Sequence, residues 1–107
     1  MLADDKAQPV LLASFDPTHS RLTLRPVKLP AIAADKSLEL WLLPPAGAAP
    51  RPLGLLTPAG LSVVLEGQDA RDIAAAALAV SLEPQGGSPT GLPTGPVLYS
   101  GAVLSAS

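Results

Sequence analysis

Apolar residues recur at every second position in short runs along this chain, and proline or glycine cuts off each run. The pattern is clearest in Arg21-Leu22-Thr23-Leu24-Arg25, Ser37-Leu38-Glu39-Leu40-Trp41-Leu42, Leu61-Ser62-Val63-Val64-Leu65 and Leu78-Ala79-Val80-Ser81-Leu82-Glu83. Successive side chains of an extended strand point to opposite faces, so each run predicts a half-buried strand. Val10 to Phe15 and Val97 to Val103 read as further strands with less regular alternation, and Leu53 to Leu56, between Pro52 and Pro58, as a weaker one. The total is about seven strands.

Asp16-Pro17-Thr18-His19-Ser20 has the composition of a tight hairpin connection, which pairs the first two of these strands antiparallel. The stretches Pro26 to Lys36 and Pro44 to Pro52 are proline-rich loops expected at the rim of a sheet, because proline cannot donate to a central ladder. Only Asp69 to Ala76 reads as helical, an aspartate being available as N-cap ahead of an alanine run. Without helices to supply crossovers a parallel sheet is disfavoured. The expected fold is therefore all-β, an antiparallel β-sandwich or partly open barrel with at most one short helix. Residues 1–7 and 105–107 are expected to be tails flanking one domain over 8–104.

Composition narrows the chemistry. At 107 residues and 48% hydrophobic the chain suffices for a single core. A formal charge of -2, with Arg21, Arg25, Lys28, Lys36, Arg51 and Arg71 scattered, argues against a nucleic-acid partner. No cysteine and one histidine leave no thiolate site and no imidazole cluster, so neither metal nor cofactor is expected. The apolar runs are too short to cross a bilayer, and Met1 to Lys6 lacks the regions of a secretory signal.

The one imidazole, His19, has Asp16 and Ser20 as sequence neighbours, the composition of a turn rather than of a triad. Glu39, Glu66 and Glu83 alternate outward on strands and Asp69 and Asp72 flank the helix; all read as solvated charges. The segment Pro84 to Pro96 is rich in glycine but lacks the lysine and following helix of a phosphate loop. Its first role is to reverse the chain between the last two strands. Long irregular loops on rigid sheets are also contact surfaces, which makes Gly86, Gly87, Ser88, Pro89 and Thr94 candidate partner-contact residues. Trp41 joins them: its parity puts it with Glu39 and Leu43, opposite Leu38, Leu40 and Leu42, where it caps a second apolar cluster or stacks on a ligand.

Leu38-Glu39-Leu40-Trp41-Leu42-Leu43-Pro44, Arg51-Pro52-Leu53-Gly54-Leu55-Leu56, Leu78 through Glu83-Pro84-Gln85-Gly86-Gly87-Ser88-Pro89, and Pro93-Thr94-Gly95-Pro96-Val97-Leu98-Tyr99-Ser100-Gly101 follow one another in this order. Together they resemble the C-terminal domain family of anti-sigma-K factors over nearly the whole chain. The resemblance implies a regulatory domain, not an enzyme, on the extracytoplasmic or periplasmic side of a membrane-anchored anti-sigma factor, with residues 1–7 as the stem after a transmembrane helix. It also implies partners: an extracytoplasmic-function sigma factor held by a cytoplasmic segment, and membrane proteases that release it. Neither sigma binding nor zinc transfers to residues of this chain, which has no His-x-x-x-Cys-x-x-Cys motif. A rival reading is a ligand-binding β-sandwich that takes a glycan or another envelope component through Trp41 and the loops Pro44 to Pro52 and Pro84 to Pro96. A small hydrolase built on His19 is the third.

Overall fold

A computed structural model describes residues 1–45 and 47–105. Among these residues nine strands and one short helix follow in the order β1 (Leu2–Ala3), β2 (Pro9–Asp16), β3 (Arg21–Pro26), β4 (Lys36–Leu43), β5 (Arg51–Leu56), β6 (Leu61–Val64), α1 (Gly67–Asp72), β7 (Ala77–Pro84), β8 (Val97–Ala102) and β9 (Leu104–Ser105). All the strands predicted from alternation are present. The fold is all-β, and its ladders are antiparallel except for β2 with β9.

Local chemistry sets the hairpins. At the β2–β3 turn the Asp16 carboxylate accepts the Thr18 amide at 2.9 Å, which starts the reversal, and the ladder runs from Asp16 opposite Arg21 to Leu11 opposite Pro26. On β3 the alternation is plain: Leu22 and Leu24 are buried between exposed Arg21 and Arg25. The strands order as β5-β4-β7-β8-β1-β2-β3-β6, so the first and last members are consecutive in the chain. A tight turn joins them, with Thr57 and Gly60 exchanging backbone hydrogen bonds at 3.0 and 2.9 Å. It draws the two ends of the sheet together into a nearly closed barrel, which limits the length of exposed strand edge. Gly60 makes the closure sterically possible. At φ 100° a β-carbon there would lie 2.0 Å from the Leu24 carbonyl oxygen.

The inward faces form an aliphatic core around Leu2, Leu11, Leu22, Leu40, Leu42, Leu78 and Val80, all without exposed surface. Leu65, Ile73 and Ala76 join this core from the segment around α1. The helix itself covers Gly67–Asp72 and buries none of its residues, so it begins earlier and ends sooner than the predicted Asp69 to Ala76. Burying Ile73 and Ala76 against the barrel takes precedence over the helix propensity of the alanine run. The expected aspartate cap is absent as well: Glu66 is the N-cap residue and its side chain makes no capping bond.

The N-terminal segment also departs from the reading as a tail. Leu2 pairs with Leu11 of β2 and with Gly101 of β8, filling the gap between those strands with a wholly buried side chain. Asp4 then turns the chain, its carboxylate accepting the amides of Lys6 and Gln8 at 2.9 and 3.0 Å while Ala7 takes a positive φ of 60°. Two residues are too few to show alternation, and the polar turn behind them has the composition of a tail. At the other end Ser105 belongs to β9, which lies parallel to β2 beside Ser14 and Phe15. The remaining positions of the expected C-terminal tail, 106 and 107, lie outside the described residues.

Candidate functional site

The site is built on the outside of the barrel wall, across β4 and β7. These strands pair antiparallel along their whole length, from Lys36 opposite Pro84 to Leu43 opposite Ala77. Leu38, Leu40, Leu42, Leu78, Val80 and Leu82 face the core, which puts Ser37, Glu39, Trp41, Ala79, Ser81 and Glu83 together on the other side. On the outer wall of a small barrel these side chains would meet water. Instead Trp41, Ser81 and Glu83 have no exposed surface and Glu39 keeps only 9%.

Water is kept out by the segment 85–96, which folds back over the strands. Gly95 lies directly on β7: a β-carbon at this position would sit 1.7 Å from the Leu82 carbonyl oxygen, so only glycine allows the approach. Beside it, the Leu82 amide donates to the Pro96 carbonyl at 3.0 Å. At the other end of the segment the Gly86 amide donates to Ser37 Oγ at 3.0 Å, and the Ser88 amide to Glu39 Oε1 at 2.7 Å. Between these attachments Thr90, Gly91 and Leu92 are exposed, and Ser88 Oγ donates to the Leu92 carbonyl within the loop.

Glu83 is the hub. Ser81 Oγ donates to its Oε2 at 2.5 Å and Thr94 Oγ1 to its Oε1 at 2.5 Å. The Thr94 amide is shared between both oxygens at 3.2 and 3.1 Å, and the Gly95 amide reaches Oε2 at 3.2 Å. Behind Ser81, the indole Nε1–H of Trp41 donates to the serine Oγ at 2.8 Å and continues the chain of hydrogen bonds. Burial works to raise the Glu83 carboxyl, but the donations from Ser81, Thr94 and Gly95 outweigh it and hold the group below its ordinary range. A carboxylate surrounded by donors in this way is an anchor for backbone amides. It has no free lone pair directed at solvent with which to take a substrate proton.

Elsewhere two surface clusters pair charged groups. Arg51 Nε reaches Asp69 at 2.5 Å and its Nη2 reaches Asp72 at 2.8 Å, tying α1 to the start of β5. The bonds to Asp72 and Asp69 raise the guanidinium above its ordinary value, and Arg51, then Gln68, lower the Asp72 carboxyl. His19 Nδ1 lies 2.7 Å from Asp16 in the hairpin turn, and that contact lowers the aspartate. With side chains 69% and 47% exposed, the pair forms no enclosed site. Among the described residues no group of three or more metal-ligating side chains comes together, and no helix is long and apolar enough to cross a membrane.

The chain matches a protein-family model, described as anti-sigma-K factor rskA, C-terminal, over residues 1–97. The chain belongs to this family. Among curated proteins and among solved structures, none matches it. The family is a regulatory one, and membership implies a sigma factor as the partner of the protein that carries such a domain.

In this anti-sigma-K C-terminal domain the residues singled out from sequence converge on one surface. Gly86 is held by Ser37, Gly87 and Ser88 lie against Glu39, and Thr94 is linked to Trp41 through Glu83 and Ser81. Pro89 sits on the exposed part of the loop. The reading of Glu39 and Glu83 as solvated charges is overturned: both are buried, because the amides of a loop lying on a sheet need acceptors where water is excluded. Asp69 and Asp72 are likewise partners of Arg51 and not free charges. Trp41 lies outside the main core cluster, as its parity required, but its ring has no surface on which a ligand could stack. One signal for the carboxylates was available: Glu39 and Glu83 share parity with a tryptophan that needs a cover.

Proposed function

We propose that this domain is the extracytoplasmic, regulatory part of a membrane-anchored anti-sigma factor that controls an extracytoplasmic-function sigma factor through regulated proteolysis. Membership of the anti-sigma-K C-terminal family over residues 1–97 carries the reading. The fold supports it: a nearly closed barrel suits a domain that is either intact or opened, and hence one that can govern access of a protease to a neighbouring segment. In this proposal the sigma factor is held by a cytoplasmic segment and membrane proteases are the other partners.

The test is made in cells carrying the full-length protein and a reporter under the sigma factor. One strain lacks this domain; a second carries Ala3→Cys and Ser100→Cys, residues that face each other on β1 and β8 in a chain without other cysteines. Deletion is expected to change basal reporter output, and the oxidised lock to blunt induction. Wild-type behaviour in both strains overturns the proposal.

A further inference from the structure

The Glu83 anchor has an unusual composition. A carboxylate with no exposed surface receives three donor groups from outside its own strand, Thr94 Oγ1 and the Thr94 and Gly95 amides, and all three belong to the covering loop. Among the described residues no cation pairs with it. The charged groups nearby are few. On β4, Lys36 lies opposite Pro84 with core-facing parity, and Glu39 stands on the same face as Glu83 but binds the far end of the loop. On β8, Tyr99 belongs to the core side of the wall, and the loop 85–96 contains no ionisable residue. The bond between loop and wall at this end therefore rests on a single negative charge, with the Leu82 amide to the Pro96 carbonyl beside it.

We propose that the segment 85–96 is a detachable cover over the β4–β7 face, clasped by the ionised Glu83 carboxylate and released when that carboxylate is protonated. A neutral carboxyl carries its own O–H, so one oxygen turns from acceptor to donor and the loop donor aimed at that oxygen loses its partner, while the other oxygen keeps only uncharged bonds. The remaining neutral bonds are roughly half as strong as charge-assisted ones. The direction in pH follows from the carboxyl being held below its ordinary value of 4.5. The clasp is at full strength above that pH and weakens as pH falls through the lower folded value. Release uncovers Glu83 and the Ser81 hydroxyl to which the Trp41 indole donates, while the β4–β7 ladder, made by the strands themselves, stays paired. The inference does not depend on the sigma factor reading.

The chain supplies its own reporter in Trp41, the only tryptophan, which is buried and bonded through Ser81 to the Glu83 clasp. Acrylamide quenching of Trp41 and limited proteolysis are followed between neutral and acidic pH, with far-UV circular dichroism to monitor the sheet. For wild type the expected result is low quenching at neutral pH and a several-fold rise on acidification, with cleavage between Ser88 and Pro93, while the sheet signal persists. Glu83→Gln should show the raised quenching already at neutral pH and lose the acid step. Gly95→Ala, whose added methyl cannot fit against the Leu82 carbonyl, should free the cover at every pH. The proposal fails if Glu83→Gln keeps the wild-type profile. It fails equally if both variants lose the sheet together with the cover, because the segment is then part of the cooperative fold.

Discussion

Leu2→Ala tests whether the first residues of the chain are wall or appendage. The leucine side chain has no exposed surface and stands between Leu11 on β2 and Gly101 on β8. Truncating a fully buried leucine costs about 2–5 kcal/mol, depending on how far the surroundings collapse into the space. Here β1 is only two residues long and can settle inward, which places the expected loss at the lower end, about 2–3 kcal/mol. For a domain of this size 1 kcal/mol corresponds to roughly 4–8 °C, so the melting temperature should fall by about 10–20 °C. Urea unfolding followed by Trp41 fluorescence gives the free energy, and an unchanged m-value shows that the same surface is still exposed on unfolding. Lys6→Ala, on the exposed turn after β1, is the control and should stay within about 0.5 kcal/mol of wild type. A Leu2→Ala midpoint indistinguishable from that of Lys6→Ala would refute the placement of β1 in the wall.

Gly60→Ala forces a β-carbon onto the Leu24 carbonyl at a positive φ, so it should cost more than about 1 kcal/mol and lower the urea midpoint. Arg51→Met removes both bonds to α1; because Arg51 holds the Asp72 carboxyl below its ordinary 3.8, that part of the stability is present above this pH and lost below it. Thermal melts across the acidic range should therefore show a shallower decline in the variant than in wild type. Trp41→Phe keeps an aromatic ring but deletes the donor to Ser81 and part of the buried volume, for an expected loss of about 1–3 kcal/mol by circular-dichroism melting.

Much of the barrel could be read from particular residues. Leu22 and Leu24 between two arginines, or Leu38, Leu40 and Leu42 with polar residues interleaved, have one face that must leave water, and a period of two admits one backbone conformation for that. The hairpin at Asp16 to Ser20 was legible for a similar reason, since its bonds are made within the turn. Leu2 carried no such mark, because two residues have no period, and its burial depends on a gap between β2 and β8, the latter nearly a hundred positions away. The end of α1 was hidden too: alanines favour helix locally, and only the cavity that receives Ile73 and Ala76 overrules them.

The candidate site divides in the same way. The loop residues Gly86, Gly87, Ser88, Pro89 and Thr94 stood out by composition, and parity separated Trp41 from the core leucines. That Glu39 and Glu83 are anchors depends on the loop returning over β4 and β7, and on Gly95 fitting against Leu82. Alternation is a property of one strand and its faces, so the sequence alone determined which side of each strand leaves the other. Whether an outward side meets water or a second layer of chain is settled by contacts between distant segments, and only the tertiary structure decided that here.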